Sequence, residues 1–370
     1  MKRTLLTEQQ KKDKIREFKE KGTLPSIDQH DPLFQKIKSE HYPSLLVAPR
    51  DSFCSASFHK ELSETLQALV DLEYFQKWII KPSKNTSRKS SRFPISVSRA
   101  FLGEPGVTHT YFDVRLFAVP WTRTPHDDLE NIEHREKIKQ LNDTFRNYLD
   151  KVGYKEQTRS QWNCSLMNYL NPDSLISQNS WQNDPYFNKG KLSISWHRDP
   201  GLASGTSVAV YTHQPQPAEG DSGWRVGIRR LWDCETPAIL VDFNDGDAYY
   251  MLDDFGALYE HAVYAGKTAR FSSTHRHLDT SSPNSHTYDS VHQQTETTLQ
   301  GLIQAHNYLK AKNLESIDLQ FLSDSQHFLT NLEHEWIRQF WGFGSKHAEL
   351  QSWWVYHINI LEQQWARIEK

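Results

Sequence analysis

The feature that most constrains this fold is a series of short β-favouring segments separated by turns in the middle of the chain. Eight such segments follow one another at 162–170, 191–197, 207–213, 224–232, 238–243, 247–252, 260–265 and 269–275. Regularly spaced short strands are typical of a β-sandwich or a double-sheet jelly roll. We therefore predict a double-stranded β-helix, or jelly roll, at the centre of the chain.

The regions on either side of these strands differ from them in pattern. Spaced apolar residues predict an amphipathic helix over 58–80, and a charged helical pattern covers 126–152. Between these two helices, residues 95–121 read as short strands around a Gly- and Pro-containing turn.

A polar segment at 276–290 separates the strands from a final region, 291–370, that is again helical in pattern. We therefore predict an α+β protein with two domains. The first, residues 1–280, contains the jelly roll with its flanking helices, and the second, residues 281–370, is an all-α C-terminal domain.

Composition narrows the possible partners. The net charge is −3, so binding to nucleic acid requires a local basic patch. One candidate is 81–92, which has five basic residues and no acidic one; it is either a solvated loop or a loop that contacts phosphates.

The three cysteines lack metal-site spacing, and no apolar run is long enough for a membrane span. We expect a soluble intracellular protein, in the nucleus or otherwise in the cytoplasm, although its import signals are weak.

The segment Lys191–Asp199 carries a candidate metal site. Because side chains alternate along a strand, Leu192, Ile194 and Trp196 are expected on one face, with His197 and Asp199 on the other. A His-x-Asp pair on a strand needs one distant histidine to complete a facial triad for Fe(II). Among 18 histidines, His261 fits best because it opens a predicted strand.

A second pattern, Arg270–Arg276, strengthens this interpretation. Arg270, Ser272, Thr274 and Arg276 are expected on one face of a strand, where burial of two arginines requires an anionic partner. A dicarboxylate such as 2-oxoglutarate supplies that partner, since arginine pairs with carboxylates through two parallel hydrogen bonds.

With these motifs, the chain resembles the fat-mass-and-obesity-associated demethylases, within the AlkB-like Fe(II)- and 2-oxoglutarate-dependent dioxygenases. The resemblance covers almost the whole chain. It rests on Ser98-Arg99, Gly103, Pro105-Gly106, Arg115–Phe117, Val119–Trp121, Pro185–Phe187, Ser195–His197 with Asp199, Val208–Tyr211, Glu235–Pro237, Met251–Asp254, Arg270–Arg276, Glu335-Trp336 and Arg338–Trp341.

The resemblance implies a role for each matching residue. The iron ligands are His197, Asp199 and His261. The 2-oxoglutarate contacts are Asn168, Tyr249, Arg270, Ser272 and Arg276. The substrate base is recognised by Arg99 and stacked by Tyr111, the methyl group meets Leu166, and His109 and Phe112 occupy other base-pocket positions. The loop 171–191, with Trp181, Tyr186 and Phe187, corresponds to a family loop over the substrate entrance.

The implied cofactor is Fe(II), with 2-oxoglutarate and O2 as co-substrates. The implied reaction is oxidative N-demethylation of bases in single-stranded RNA or DNA, foremost N6-methyladenosine in RNA, releasing formaldehyde, succinate and CO2. Other interpretations stay open: repair of alkylated DNA, hydroxylation of a protein, or a jelly-roll binding module without catalysis.

Two departures from the family pattern bear on specificity. Pro200 stands where the family has a glutamate that hydrogen-bonds the base, and Arg198 stands in place of a histidine. Proline offers neither a carboxylate nor an N–H, so discrimination between bases is expected to change. The chain also stops at Lys370, whereas family members continue into further helices, so the helical domain is expected to be shortened.

Overall fold

A computed structural model describes residues 25–80, 95–123, 132–154 and 161–279, apart from short gaps at 105–106, 112–113, 200, 217–221, 232, 234 and 254, and isolated positions near both ends. The expected helical domain after residue 280 lies almost entirely outside this part of the chain, as do the basic stretch 81–92, Phe112 and Pro200.

The described helices and strands are numbered in chain order. The helices are α1 (Phe34–His41), α2 (Arg50–Phe53), α3 (Ala56–Asp71), α4 (Ile132–Lys151), α5 (Leu175–Ser180) and α6 (Phe255–Leu258). The strands are β1 (Ser26–Asp28), β2 (Leu45–Ala48), β3 (Gln76–Ile80), β4 (Ile95–Gly103), β5 (Thr108–Tyr111), β6 (Val114–Phe117), β7 (Val119–Pro120), β8 (Cys164–Leu170), β9 (Gln182–Asn183), β10 (Lys191–His197), β11 (Val208–His213), β12 (Arg225–Arg230), β13 (Ala238–Asp242), β14 (Ala248–Met251), β15 (Tyr259–Tyr264) and β16 (Arg270–Arg276).

The strand pairing forms a jelly roll. One sheet has six strands in the order β1-β13-β12-β15-β10-β9. The other has eight, in the order β2-β14-β11-β16-β8-β4-β3 with β7 beside β4. Within these sheets β8, β11, β14 and β16 face β10, β12, β13 and β15, the arrangement of a double-stranded β-helix. The eight strands predicted from residue 162 onward are therefore confirmed.

Apolar side chains of the two sheets meet between them. This inner core includes Val210 and Tyr249 from the larger sheet and Ile228, Ile239 and Val263 from the smaller one. A two-sheet sandwich leaves a cleft between the sheets at one end, and polar residues of the inner faces can line that cleft. The candidate active site lies there.

The outer face of the eight-stranded sheet is covered by α3 and α4. Leu62, Leu66 and Leu69 of α3 are fully buried, at the three- and four-residue spacing of an amphipathic helix. In α4, Ile138 and Phe145 are buried in the same cluster. Ser55 caps α3, its hydroxyl accepting a hydrogen bond from the Phe58 N–H at 3.2 Å. None of the described helices is both long and apolar enough to cross a membrane.

The prediction of one helix over 58–80 is wrong in its second half. Helix α3 ends at Asp71, and Glu73 has a φ of 56°, in the left-handed region that interrupts a helix. The residues after it form β3, which pairs antiparallel with β4. Trp78 and Ile79 are typical strand residues, and pairing with the sheet edge overrides the helical spacing.

Candidate active site

One cleft between the sheets collects the predicted site residues. It has a volume of about 580 Å³, part of it open to solvent. All the predicted site residues whose side chains are described line it: Arg99, His109, Leu166, Asn168, His197, Asp199, Tyr249, His261, Arg270, Ser272 and Arg276. The side chain of Tyr111 and the whole of Phe112 lie outside the described part of the chain.

Strand pairing brings the candidate metal ligands together. His197 at the end of β10 is the direct partner of His261 in β15, although 64 residues separate them in sequence. Their rings are 4.2 Å apart between centroids. Asp199 follows β10 directly, and its Oδ1 is 3.8 Å from His197 Nε2. The ligand atoms of all three residues lie within 4.8 Å of one another.

The protonation of these three residues suits metal binding. His197 Nδ1 donates to the Ser195 carbonyl at 2.8 Å, which leaves the Nε2 lone pair for a metal. Burial lowers the pKa of His197 and lowers that of His261 to about 3, so both rings are neutral at pH 7. Burial alone would raise the pKa of Asp199, but Arg276 and the two histidines lower it to about 2. A neutral imidazole pair and an ionised carboxylate are the donor set of a facial triad.

One carboxylate oxygen of Asp199 accepts a hydrogen bond, and the other has no partner among the described residues. Its Oδ1 accepts a hydrogen bond from Arg276 Nη2 at 2.6 Å, whereas its buried Oδ2 accepts none from any described residue. A buried carboxylate oxygen without a partner is costly unless a cation binds it. The residues present therefore fit a divalent metal.

Arg270 is a buried cation that fits a carboxylate ligand. It is 1% exposed, and it forms no ion pair with any acidic residue in the described part of the chain. Its Nη2 donates to Thr212 Oγ1 at 3.0 Å, and its guanidinium carbon lies 5.4 Å from the Trp224 ring centroid. Its Nε has no partner among the described residues. An unpaired guanidinium in this setting calls for an anion.

Tyr249 lies beside Arg270. Burial raises the pKa of Tyr249 to about 12, although the positive charge of Arg270 acts in the opposite direction. The hydroxyl is therefore neutral and keeps its proton, which it can donate to a ligand. Arg270 and Tyr249 together fit the distal carboxylate of 2-oxoglutarate.

A short hydrogen-bond chain joins the predicted base contact to the predicted 2-oxoglutarate contacts. Arg99 Nε donates to Asn168 Oδ1 at 2.7 Å, and Asn168 Nδ2 donates to Ser272 Oγ at 3.4 Å. The three residues sit side by side because β4 pairs with β8 and β8 pairs with β16. Arg99 is thereby fixed at the wall of the cleft.

The expected face assignment on β10 is partly wrong. Ile194 lines the cleft with His197, while Leu192 and Trp196 pack on the outer side with Tyr264. The pairing of β10 with β15 shifts register between Leu192 and Ile194 and again before His197. A β-bulge changes the face on which later side chains lie, so strict alternation fails here.

Trp181 is also placed differently from expectation. It is buried in the core between the sheets, where its ring meets Trp224 edge-on, with centroids 6.1 Å apart. Phe187 is buried against Trp196 on the outer side of the six-stranded sheet. These two aromatic residues of 171–191 therefore support the fold and are not available to stack on a base.

Sequence reasoning missed several residues of the cleft. Thr212 holds Arg270, and apolar walls come from Ile194, Val210, Met251 and Val263. Alternation along 208–213 and 248–251 contained the relevant signal, since alternate residues of those strands face the cleft. Without the strand order, nothing in the sequence showed which alternate set faces inward.

Comparisons with known proteins identify the family of this chain. A family model described as the FTO catalytic domain matches residues 32–158 and 130–279, and one described as the FTO C-terminal domain matches 286–370. A curated relative from Xenopus laevis, described as "Alpha-ketoglutarate-dependent dioxygenase FTO", is 29% identical over 417 residues, covering 100% of this chain and 80% of the frog protein.

Two solved structures are similar at a lower level. A 2OG-Fe(II) oxygenase family oxidoreductase from Burkholderia pseudomallei covers 69% of this chain and 94% of its own, with 12% identity and a TM-score of 0.37. A prolyl hydroxylase from Trichoplax adhaerens, in complex with a hypoxia inducible factor peptide, covers 74% and 94%, with 11% identity and a TM-score of 0.37. The fold is defined by the strand pairing of the chain itself.

Proposed function

The chain belongs to the FTO family of 2-oxoglutarate-dependent dioxygenases, and on this premise we propose that it demethylates N6-methyladenosine in single-stranded RNA. Its cofactor is Fe(II), and its co-substrates are 2-oxoglutarate and O2. The proposed products are the unmethylated base, formaldehyde, succinate and CO2. The observation that carries the proposal is the meeting, in one cleft, of two neutral histidines and an ionised aspartate with a buried arginine that has no acidic partner among the described residues.

Each side chain of the cleft has a proposed part in the reaction. His197, Asp199 and His261 would hold Fe(II), which would supply the chemistry for oxidation of 2-oxoglutarate and of the methyl group by O2. Arg270 and Tyr249 bind the distal carboxylate of 2-oxoglutarate and so fix its orientation. Arg276 donates a hydrogen bond to Asp199 Oδ1 and, with its positive charge, keeps that carboxylate ionised.

The substrate side of the cleft is proposed to hold one base out of its stack. Arg99 is buried and fixed by Asn168, His109 is buried on the same wall, and Leu166 offers an apolar surface for the methyl group. Tyr111 and Phe112 complete the proposed base pocket. A base must leave its stack to reach this depth, and single-stranded RNA allows that at lower cost than a duplex does.

Arg198 is proposed to contact the substrate backbone. Its side chain is exposed, and in sequence it stands between His197 and Asp199. A cation at that position can pair with a phosphate beside the base. Because Pro200 provides no hydrogen bond to the base, we expect weaker discrimination among methylated bases than in relatives with glutamate, by about 1–3 kcal/mol.

The experiment that tests this function compares substrates under one set of conditions. The Fe(II)-loaded protein is incubated with 2-oxoglutarate and matched oligonucleotides carrying one methylated base, as RNA and as DNA, single-stranded and duplex. Mass spectrometry measures succinate and unmethylated base in each reaction. We expect both products in equal amounts from single-stranded RNA with N6-methyladenosine. Succinate without demethylation of any oligonucleotide would contradict the proposal and favour a protein substrate; a DNA preference would favour alkylation repair.

Two further proposals concern the chain as a whole. We propose a division into a catalytic domain, 1–280, and a helical domain, 281–370, supported by the helical pattern after residue 291 and by the separate family-model match from 286. Limited proteolysis of the full chain should then cut first near 280–290.

We also propose a nuclear location, which fits an RNA substrate and is tested by imaging the tagged chain in cells.

A further inference from the structure

A second group of two histidines and one aspartate lies on the outer face of the eight-stranded sheet. His59 belongs to α3, His213 ends β11, and Asp245 lies in the turn between β13 and β14. Within β11, Thr212 points to Arg270 in the cleft, so the adjacent His213 points to the opposite face. This cluster is therefore separate from the candidate active site.

The three side chains already approach one another as metal ligands do. His213 Nδ1 is 2.8 Å from Asp245 Oδ1, and His59 Nε2 is 2.9 Å from Asp245 Oδ2. The ligand atoms of all three lie within 4.8 Å of one another. The side chains of His59 and Asp245 are each 15% exposed, which gives an ion a path from solvent.

The far nitrogen of each ring meets a hydroxyl group. His59 Nδ1 is 2.7 Å from the Tyr211 hydroxyl, and His213 Nε2 is 3.0 Å from Ser63 Oγ. Burial raises the pKa of Tyr211, so its hydroxyl stays neutral and can donate or accept. With an ion bound, each ring could carry its proton on the far nitrogen, donate it to the Tyr211 or Ser63 hydroxyl, and turn a lone pair toward the ion. Outer partners of this kind orient histidine ligands in metal sites.

The aspartate is charged at neutral pH. Burial alone would raise the pKa of Asp245, but hydrogen bonds from His213, His59 and the Gln214 N–H hold that pKa well below its usual range. The cluster thus offers one ionised carboxylate and two imidazoles. Imidazole and carboxylate are common zinc ligands.

We propose that this cluster binds Zn²⁺ through His59 Nε2, His213 Nδ1 and an oxygen of Asp245, with water as the fourth ligand. Ligand atoms around tetrahedral zinc lie about 3.3 Å apart, given bonds of about 2.0–2.2 Å. The present separations of 2.8 and 2.9 Å therefore need to widen by about half an ångström. On binding, the nitrogen of each ring that faces Tyr211 or Ser63 would carry the N–H, and the other nitrogen would face the ion.

Zinc at this position would join α3 to the sheet. His59 lies in the first turns of the helix, whereas His213 and Asp245 belong to the jelly roll. An ion that binds the folded chain and not the unfolded one stabilises the fold. The proposal therefore predicts a thermal stabilisation that does not depend on the candidate active site.

The test separates the two clusters by substitution. Zn²⁺ bound per chain is measured by equilibrium dialysis and elemental analysis in the full-length protein, in Asp199→Ala, in His213→Gln and in the double variant. We expect two zinc ions per chain in the unsubstituted protein, one in each of the two single variants and none in the double variant. His59→Gln is a second variant, chosen because its partly exposed site tolerates substitution more readily, and should match His213→Gln. Circular dichroism of the zinc-free variants verifies that each is folded.

A second readout follows stability and not activity. Zinc should raise the Tm of Asp199→Ala by at least about 2 °C and leave that of Asp199→Ala/His213→Gln unchanged. Equal zinc content and equal Tm in these two variants would overturn the proposal and leave the cluster as a hydrogen-bond network. This outcome is independent of the demethylation assay, because both variants lack an intact His197–Asp199–His261 set.

Discussion

Arg276 donates from Nη2 to Asp199 Oδ1 across 2.6 Å, so a guanidinium is paired with the carboxylate that we assign to iron. Both side chains are about nine-tenths buried or more. The pairing occupies Oδ1 and leaves the buried Oδ2 without a hydrogen-bond partner among the described residues. It also explains why Asp199 stays charged in a buried site, since the nearby positive charge outweighs the desolvation cost.

Loss of this guanidinium should weaken metal binding. In Arg276→Gln we expect the affinity for Mn²⁺, measured without 2-oxoglutarate, to fall by about 10–100-fold, because removal of an outer partner misorients the ligand. Arg198→Gln serves as the matched control, because Arg198 is next to Asp199 in sequence, whereas Arg276 contacts Asp199 from 77 residues away, and because its side chain is exposed. An unchanged affinity in Arg276→Gln would show that Asp199 needs no such support.

Asp199 itself should be essential for turnover. Asp199→Ala removes the only carboxylate of the candidate triad, and we expect no succinate or unmethylated base above background. Mass spectrometry of both products measures this. Substantial residual demethylation by the variant would refute the assignment of His197, Asp199 and His261 to iron.

The buried charge of Arg270 should lower the stability of the ligand-free protein and raise its affinity for 2-oxoglutarate. Arg270→Met removes a buried cation that has no acidic partner in the described chain, so we expect an equal or higher Tm without ligand. Affinity for 2-oxoglutarate should fall by about 100-fold or more, because a charge-assisted pair is lost. Thr212→Val removes only the 3.0 Å hydrogen bond to Arg270 and should lower that affinity by a few-fold. Calorimetric titration measures the affinity for 2-oxoglutarate, and thermal melts measure the Tm. A strongly lowered Tm in Arg270→Met would contradict the expected equal or higher stability.

Gly227 in β12 should not tolerate a side chain. A Cβ there would lie 2.7 Å from the Trp196 ring and 2.8 Å from the Tyr264 ring, closer than van der Waals contact. We expect Gly227→Ala to reduce the free energy of unfolding by about 1–3 kcal/mol. Gly256→Ala is the control, since nothing lies within 4 Å of its added Cβ. Urea unfolding compares the two, and similar midpoints would contradict the prediction.

His275 should make the fold sensitive to acid. The ring is fully buried between Asn142 and Ser273, and burial lowers its pKa to about 3. Below pH 6.5 the unfolded chain binds a proton that the folded chain does not, so stability falls as pH decreases from about 6.5 to about 3, by about 1.4 kcal/mol per pH unit. His275→Gln should show a shallower slope of unfolding free energy between pH 6 and 4. An identical slope in both proteins would refute this.

The sequence predicted the strands well because their periodicity is local. All eight segments after residue 162 are strands, and alternation along Arg270–Arg276 is correct because β16 pairs with β8 without interruption. The prediction from sequence was wrong on β10, where bulges change the register. It was also wrong beyond Glu73, where the backbone turns out of the helix. Both exceptions depend on contacts with neighbouring strands.

By itself, the sequence identified the groups that the proposed chemistry needs. These are a His-x-Asp pair, a spaced pair of arginines and the motifs of one family. Tertiary structure decided which residues meet. It made His261 the partner of His197, supplied Thr212 to Arg270 and assembled His59, His213 and Asp245 on the other face of the sheet. The reason is physical. Strand propensity and side-chain alternation are encoded within a few residues, whereas sheet order and register follow from how the whole chain buries its apolar surface.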